Sequence, residues 1–144
     1  AAVIGLDAEI VRFPEDTRTA EQAASAIGCE LGQIVKSLVF CIGDEIVLVL
    51  TSGANRVDEV TVAPLFGADR LDRADPEAVR SATGFAIGGV PPCGHPARLR
   101  AVIDRDLMGW DTIWAAAGAP DSVFELTPAE LQRVTEGTVA VVTA

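Results

Sequence analysis

The chain carries eleven basic residues, and Lys36 is the only lysine among them; the other ten are arginines. An ammonium is a compact point charge with three donors, able to approach a carbonyl or phosphate oxygen where a planar guanidinium is too broad. Lys36 follows Ile34-Val35 and precedes Leu38-Val39-Phe40, an apolar, β-branched run that reads as a strand and would hold the amine at a defined place on a sheet. A lysine taken at random is a solvated surface charge. One kept alone at a strand entry is a candidate for holding a substrate oxygen.

A second constellation is Gly88-Gly89-Val90-Pro91-Pro92-Cys93-Gly94-His95-Pro96, which contains three glycines, three prolines and the only histidine. Prolines stiffen such a loop and glycines let backbone N–H groups approach a ligand closely. A tight connection between two strands would use the same residues with no ligand. His95 could serve as a base or hydrogen-bond donor titrating near neutrality, or could be an ordinary loop histidine. A Cys93 thiol nucleophile is not favoured, because residues two apart in an extended loop need not meet. Cys29, Cys41 and Cys93 form no C-x-x-C pair, so neither a disulfide framework nor a zinc site is expected, and a reducing cytoplasm fits best.

Charge is distributed to match. The formal net charge is −10, which disfavours coating of nucleic acid or anionic membrane through long-range attraction. Yet Leu31 to Gly43, around Lys36, contains no acid, and neither does Ala78 to Ile103, which holds Arg80, His95, Arg98 and Arg100. The net charge is −4 on residues 1–30, −1 on 31–103 and −5 on 104–144. A narrow basic site is therefore compatible with an acidic chain.

The elements that must position these residues follow from caps and periodicity. Thr19 with Gln22 reads as a capping box for a helix stopped by Gly28; Asp75-Pro76 opens a helix through about Ser81; Thr127-Pro128 with Glu130 opens another closing near Gly137. Strands are expected at Ser37–Ile42, Glu45–Thr51, Gly84–Ile87, Leu99–Ile103, Thr112–Ala116, Val123–Leu126 and Thr138–Val142, the first two joined by a Gly43-Asp44 hairpin turn. Helices interrupt the strands irregularly, which gives an α+β domain with a mixed, mostly antiparallel sheet flanked by short helices, rather than a doubly wound one. At 144 residues and 49% hydrophobic composition the whole chain, 1–144, reads as one domain with a real core, and disorder is excluded as its main state. The N-terminus lacks a signal-peptide pattern, and no apolar run approaches the roughly 18 residues a membrane span needs.

These residues together resemble the YbaK and prolyl-tRNA synthetase insertion-domain family of aminoacyl-tRNA editing domains, including the free-standing ProX-type deacylases. The resemblance covers nearly the whole chain. It runs through Gln33-Ile34-Val35-Lys36-Ser37-Leu38-Val39, Ala74-Asp75-Pro76, Thr83-Gly84-Phe85 leading into Gly88 to Gly94, Val102-Ile103-Asp104, Ala117-Gly118 and Phe124-Glu125-Leu126. A strand-entry lysine combined with a downstream Gly-x-x-x-Pro loop is fairly specific.

The resemblance implies a trans-acting deacylase that hydrolyses the ester of a mischarged tRNA, above all tRNA for proline carrying a small wrong amino acid such as alanine or cysteine. It implies that Lys36 contacts the terminal adenosine region, that Gly88 through Pro92 shape the pocket around the ester, and that no nucleophilic side chain, metal or cofactor is required. Lys36, Gly88 and Gly89 are then the expected catalytic residues, with Val90, Pro91, Pro92, Gly94, His95, Arg80 and Ser52 binding substrate. The expected partners are the aminoacyl-tRNA 3′ end and prolyl-tRNA synthetase, with no membrane. The alternative is a non-catalytic tRNA- or synthetase-binding module of the same fold. An aminoacyl ester is already activated, so positioning plus a backbone donor aimed at the oxyanion, worth about 2.7–4 kcal/mol, can supply much of the rate. A second site is needed because a synthetase pocket separates amino acids one methylene apart by only roughly 1–3 kcal/mol.

Overall fold

The computed structural model describes residues 10–12, 20–83, 99–116 and 122–143. In chain order its elements are β1 (Ile10–Arg12), α1 (Ala20–Ile27), β2 (Ile34–Ile42), β3 (Glu45–Ser52), α2 (Glu59–Val62), β4 (Asp72–Arg73), α3 (Pro76–Thr83), β5 (Arg100–Asp104), β6 (Ile113–Ala116), β7 (Ser122–Leu126), α4 (Pro128–Thr135) and β8 (Thr138–Ala140). Three 3-10 turns, Leu31–Gln33, Ala63–Phe66 and Arg105–Gly109, complete it.

The strands form one eight-stranded sheet in the order β1-β7-β6-β2-β3-β5-β8, with β4 added to β2. β2 and β3 are a hairpin whose turn uses Gly43 at φ 59°, the left-handed conformation that an L side chain resists. β6–β7, β1–β7 and β2–β4 are also antiparallel, whereas β2–β6, β3–β5 and β5–β8 are parallel. The expected α+β class with a mixed, mostly antiparallel sheet is what the chain adopts.

Local chemistry explains the helices. Asp75 Oδ1 accepts the Ala78 N–H at 2.8 Å and so starts α3. Thr127 and Glu130 cap α4 reciprocally: Thr127 Oγ1 accepts the Glu130 N–H at 3.1 Å and Glu130 Oε1 accepts the Thr127 N–H at 2.9 Å. α1 stops at Gly28, φ 84°, whose N–H bonds the Ala24 carbonyl. α4 ends two residues before Gly137 because Glu136 itself adopts φ 52°. β2 starts earlier than its apolar run suggests, since Ile34 and Val35 pair with Trp114 and Ala115. α2 and the turn after it have no counterpart in the sequence reading; β-branched Val60, Thr61 and Val62 speak for strand, and the Asp58 cap on the Thr61 N–H prevails. The expected strand Gly84–Ile87 and the Thr19 cap lie outside the described residues.

Alternation along β2 and β3 divides the core between the two faces of the sheet. On one face Val35, Leu48 and Leu50 join Ile103, Ile113 and Phe124 beneath Val79 of α3, Leu107 and Leu131 of α4. On the other Phe40, Val47, Val49 and Val102 pack against Val62, Ala63, Phe66, Leu71 and Val142. A third cluster sets Ala23 and Ala24 of α1 on Ile34 and Trp114. No helix among the described residues is long and apolar enough to cross a membrane.

Candidate active site

Lys36 occupies the face of β2 that carries Ile34, Leu38 and Phe40. Ile34 is covered by α1, and Leu38 and Phe40 belong to the cluster covered by α2 and the turn that follows it. The lysine is thus the polar break between two covered apolar patches. It is half-buried, opposite Thr51 in the β2–β3 register, and its Nζ donates to the Asn55 carbonyl oxygen at 3.1 Å. That acceptor is neutral, and no ion pair of Lys36 with an acid occurs among the described residues. Among the described residues, two of its three N–H donors have no acceptor.

The Asn55 carbonyl sits on a tight turn leaving β3. The Asn55 N–H bonds the Ser52 carbonyl at 3.0 Å, and the Gly53 N–H bonds the Ile34 carbonyl at 2.7 Å, tying the turn back to β2. Ser52 is 2% exposed; its Oγ donates to the Gly32 carbonyl at 2.8 Å. Its N–H donates to Asp104 Oδ2 at 3.0 Å. Asp104, at the end of β5, is also 2% exposed. A carboxylate so buried must be hydrogen-bonded. Oδ2 also accepts Asn55 Nδ2 at 2.9 Å, and Oδ1 accepts the Asp106 N–H at 3.0 Å, capping the turn Arg105–Gly109. Asn55 Nδ2 reaches Asp106 Oδ2 at 2.7 Å as well.

On the opposite face, β2, β4 and α3 enclose a cavity of about 160 Å³ lined by Ser37, Val39, Ala74 and Val79 among others. Among the described residues the buried hydroxyl of Ser37 has no partner, and neither does that of Thr51 opposite Lys36. Arg80 is exposed in the last turn of α3, which ends at Thr83; β5 begins at Arg100. Between them lie residues 84–98 of the sequence. Gly88, Gly89, Val90, Pro91, Pro92, Gly94 and His95 all fall in this stretch, outside the described residues, as does Cys93.

Of the sequence-derived site residues, Lys36 and Ser52 are brought to one turn, and Arg80 lies on α3. Ser52 is held inside the fold by its bond to Gly32. Asn55, Asp104 and Asp106 were missed as site residues. The one available signal was Asp104-x-Asp106 directly after an apolar strand, a cap pattern. Elsewhere, burial pushes the Cys29 thiol up, which disfavours thiolate chemistry there. No group of three or more potential metal ligands occurs among the described residues.

With this geometry in place, comparison with known proteins gives the family. The profile of the aminoacyl-tRNA editing domain matches residues 14–134. The chain belongs to the aminoacyl-tRNA editing domain family. This editing domain is 35% identical over 126 residues to the uncharacterized protein YwhH of Bacillus subtilis, covering 87% of this chain and 80% of that one. It is 34% identical over 115 residues to a proline–tRNA ligase of Nitratidesulfovibrio vulgaris, covering 80% of this chain but only 20% of the ligase. The chain thus spans about one fifth of that relative's length. A crystal structure of a candidate trans-editing enzyme for prolyl tRNA synthetase superposes with a TM-score of 0.91 at 48% identity, over 95% of this chain and 87% of that one. The structure of hypothetical protein APE2540 superposes with a TM-score of 0.86 at 29% identity, over 96% and 92% of the two chains. The family expected from the Lys36 strand and the downstream Gly-x-x-x-Pro motif is the one found, and membership assigns the chain to aminoacyl-tRNA editing.

Proposed function

We propose that this editing domain acts in trans as an aminoacyl-tRNA deacylase, with tRNA for proline carrying alanine or cysteine as its substrate. The observation that carries the reading is Lys36, an ammonium fixed at 3.1 Å to a neutral carbonyl with no acid paired to it among the described residues. That arrangement suits an anionic or carbonyl oxygen arriving from solvent. In the reaction, water adds to the ester carbonyl carbon, the bond from that carbon to the ribose oxygen breaks, and the water's proton ends on the ribose oxygen. The products are the free amino acid and an uncharged tRNA.

Lys36 holds the 3′ terminus, and the backbone N–H groups of Gly88 and Gly89 are assigned to the developing oxyanion. Val90, Pro91, Pro92, Gly94 and His95 shape the aminoacyl pocket, Arg80 meets the tRNA backbone, and Ser52 acts by fixing the turn that presents Lys36. Prolyl-tRNA synthetase is the natural partner, since the ligase relatives carry the same domain within a longer chain.

The test is single-turnover deacylation of a panel of mischarged tRNAs with the Lys36→Ala variant beside wild type. A charge-assisted hydrogen bond is worth about 1.5–3 kcal/mol, so its loss should slow hydrolysis roughly 10- to 100-fold with the fold intact. Saturable, salt-sensitive tRNA binding with no hydrolysis would instead show a binding module of the same fold.

A further inference from the structure

Asn55 joins the lysine to the buried carboxylate through two different groups. Its carbonyl oxygen accepts Lys36 Nζ at 3.1 Å, and its side-chain amide donates to Asp104 Oδ2 at 2.9 Å and to Asp106 Oδ2 at 2.7 Å. The amide thus takes two carboxylates as acceptors, using both hydrogens of its N–H₂ group. An aspartate at this position would put three carboxylates together. Asp104 is itself fixed by the Ser52 and Asp106 N–H groups at the end of β5, a largely buried strand paired with β3 on one side and β8 on the other. The carbonyl that orients Lys36 is therefore anchored not to its own turn alone but to β5, on the far side of β3 and two strands from β2.

From this we infer that Asn55 is a positioning residue, a tether that transfers the rigidity of the Asp104–Asp106 cap to the Lys36 ammonium and so fixes where the lysine meets its ligand. The inference rests on the reading of Lys36 as the substrate-binding cation. Its chemistry is orientational: one N–H of the ammonium is spent on the Asn55 carbonyl, and the direction of that bond sets the directions of the other two. Misplacement of a binding group by about 1 Å can cost 10²-fold in rate, and untethering the turn should cost at least about tenfold.

The test uses the full chain and two readouts. Because Lys36 is the only lysine, isotope-labelled lysine gives a single Nζ resonance in the NMR spectrum at mildly acidic pH. In wild type that resonance should be shifted from free lysine and slow to exchange its protons; in Asn55→Ala, which keeps the backbone carbonyl but loses its tether to Asp104 and Asp106, it should move toward the position of free lysine and exchange measurably faster. Deacylation by Asn55→Ala should fall at least about tenfold, and Asn55→Asp, which adds a third carboxylate beside Asp104 and Asp106, should fall further. A merely structural role for Asn55 would lower the unfolding temperature while leaving the Nζ resonance where it is, and that outcome overturns the tether. So does an unchanged deacylation rate in Asn55→Ala. If wild type hydrolyses no mischarged tRNA, the proposed function fails, and the Nζ resonance still decides the tether by itself.

Discussion

Replacing Asp104 by asparagine changes one buried oxygen to an amide nitrogen, and its cost follows from three bonds. Oδ2 accepts Ser52 N–H at 3.0 Å and Asn55 Nδ2 at 2.9 Å, and Oδ1 accepts Asp106 N–H at 3.0 Å. An asparagine can turn its oxygen toward the first pair, which keeps two acceptor bonds but removes their charge assistance. Its NH₂ then faces the Asp106 N–H, donor against donor, and the cap of the Arg105–Gly109 turn is lost. Bonds to a charged group are worth about 1.5–3 kcal/mol and neutral ones about 1, while a donor left unsatisfied costs about 1–3. The sum is a destabilisation of roughly 2–5 kcal/mol. For a chain of this size, at roughly 2–4 °C per kcal/mol, the unfolding temperature should fall by about 4–20 °C. Thermal unfolding followed by tryptophan fluorescence is the assay, because Trp110 follows the turn that Asp104 caps. A fall of less than about 1 °C would mean that the Asp104 network contributes no net stability, against the desolvation argument.

Three further substitutions probe other parts of the account. Gly32→Ala would place a Cβ 2.9 Å from Trp110 Cζ2, so overpacking should destabilise the fold by about 1–3 kcal/mol, read from the urea midpoint. Thr51→Val removes a fully buried hydroxyl that has no partner among the described residues, and should leave stability unchanged or raise it by up to about 1 kcal/mol by calorimetry. Glu45 accepts Arg100 Nε at 2.6 Å and Nη2 at 2.7 Å, and these bonds hold its carboxyl below the usual range. A depressed folded-state pKa gives stability that is present above the unfolded value, about 4.3, and is lost as pH falls through the folded value. The pair is about half exposed, so Glu45→Gln should cost only about 0.2–1 kcal/mol at neutral pH, with the difference closing in unfolding curves taken below about pH 4.

Much of the architecture was legible because it is written in local chemistry. The Gly43-Asp44 turn, the Asp75 cap and the Thr127–Glu130 box each act within four residues, and each appears where the letters place it. α2 was not legible, since its residues favour strand and one Asp58 side chain reverses the preference. β4 is a two-residue pairing on β2 that carries no periodic signal. The site divides in the same way. Lys36 stood out by its type and its acid-free strand, but what holds it joins residues 36, 52, 55 and 104, and no spacing rule connects positions so far apart in sequence. The net charge of −10 first argued against a nucleic-acid partner. A lysine with no acid paired to it among the described residues narrows that exclusion to non-specific coating.

The central claim is ester hydrolysis directed by Lys36, and one measurement reaches it: single-turnover release of amino acid from tRNA for proline charged with alanine, cysteine, serine or threonine, by wild type and Lys36→Ala side by side. The account predicts that wild type clears at least one of these tRNAs and that Lys36→Ala does so roughly 10- to 100-fold more slowly. Equal rates in the two proteins, or no hydrolysis of any of them by wild type, would contradict it.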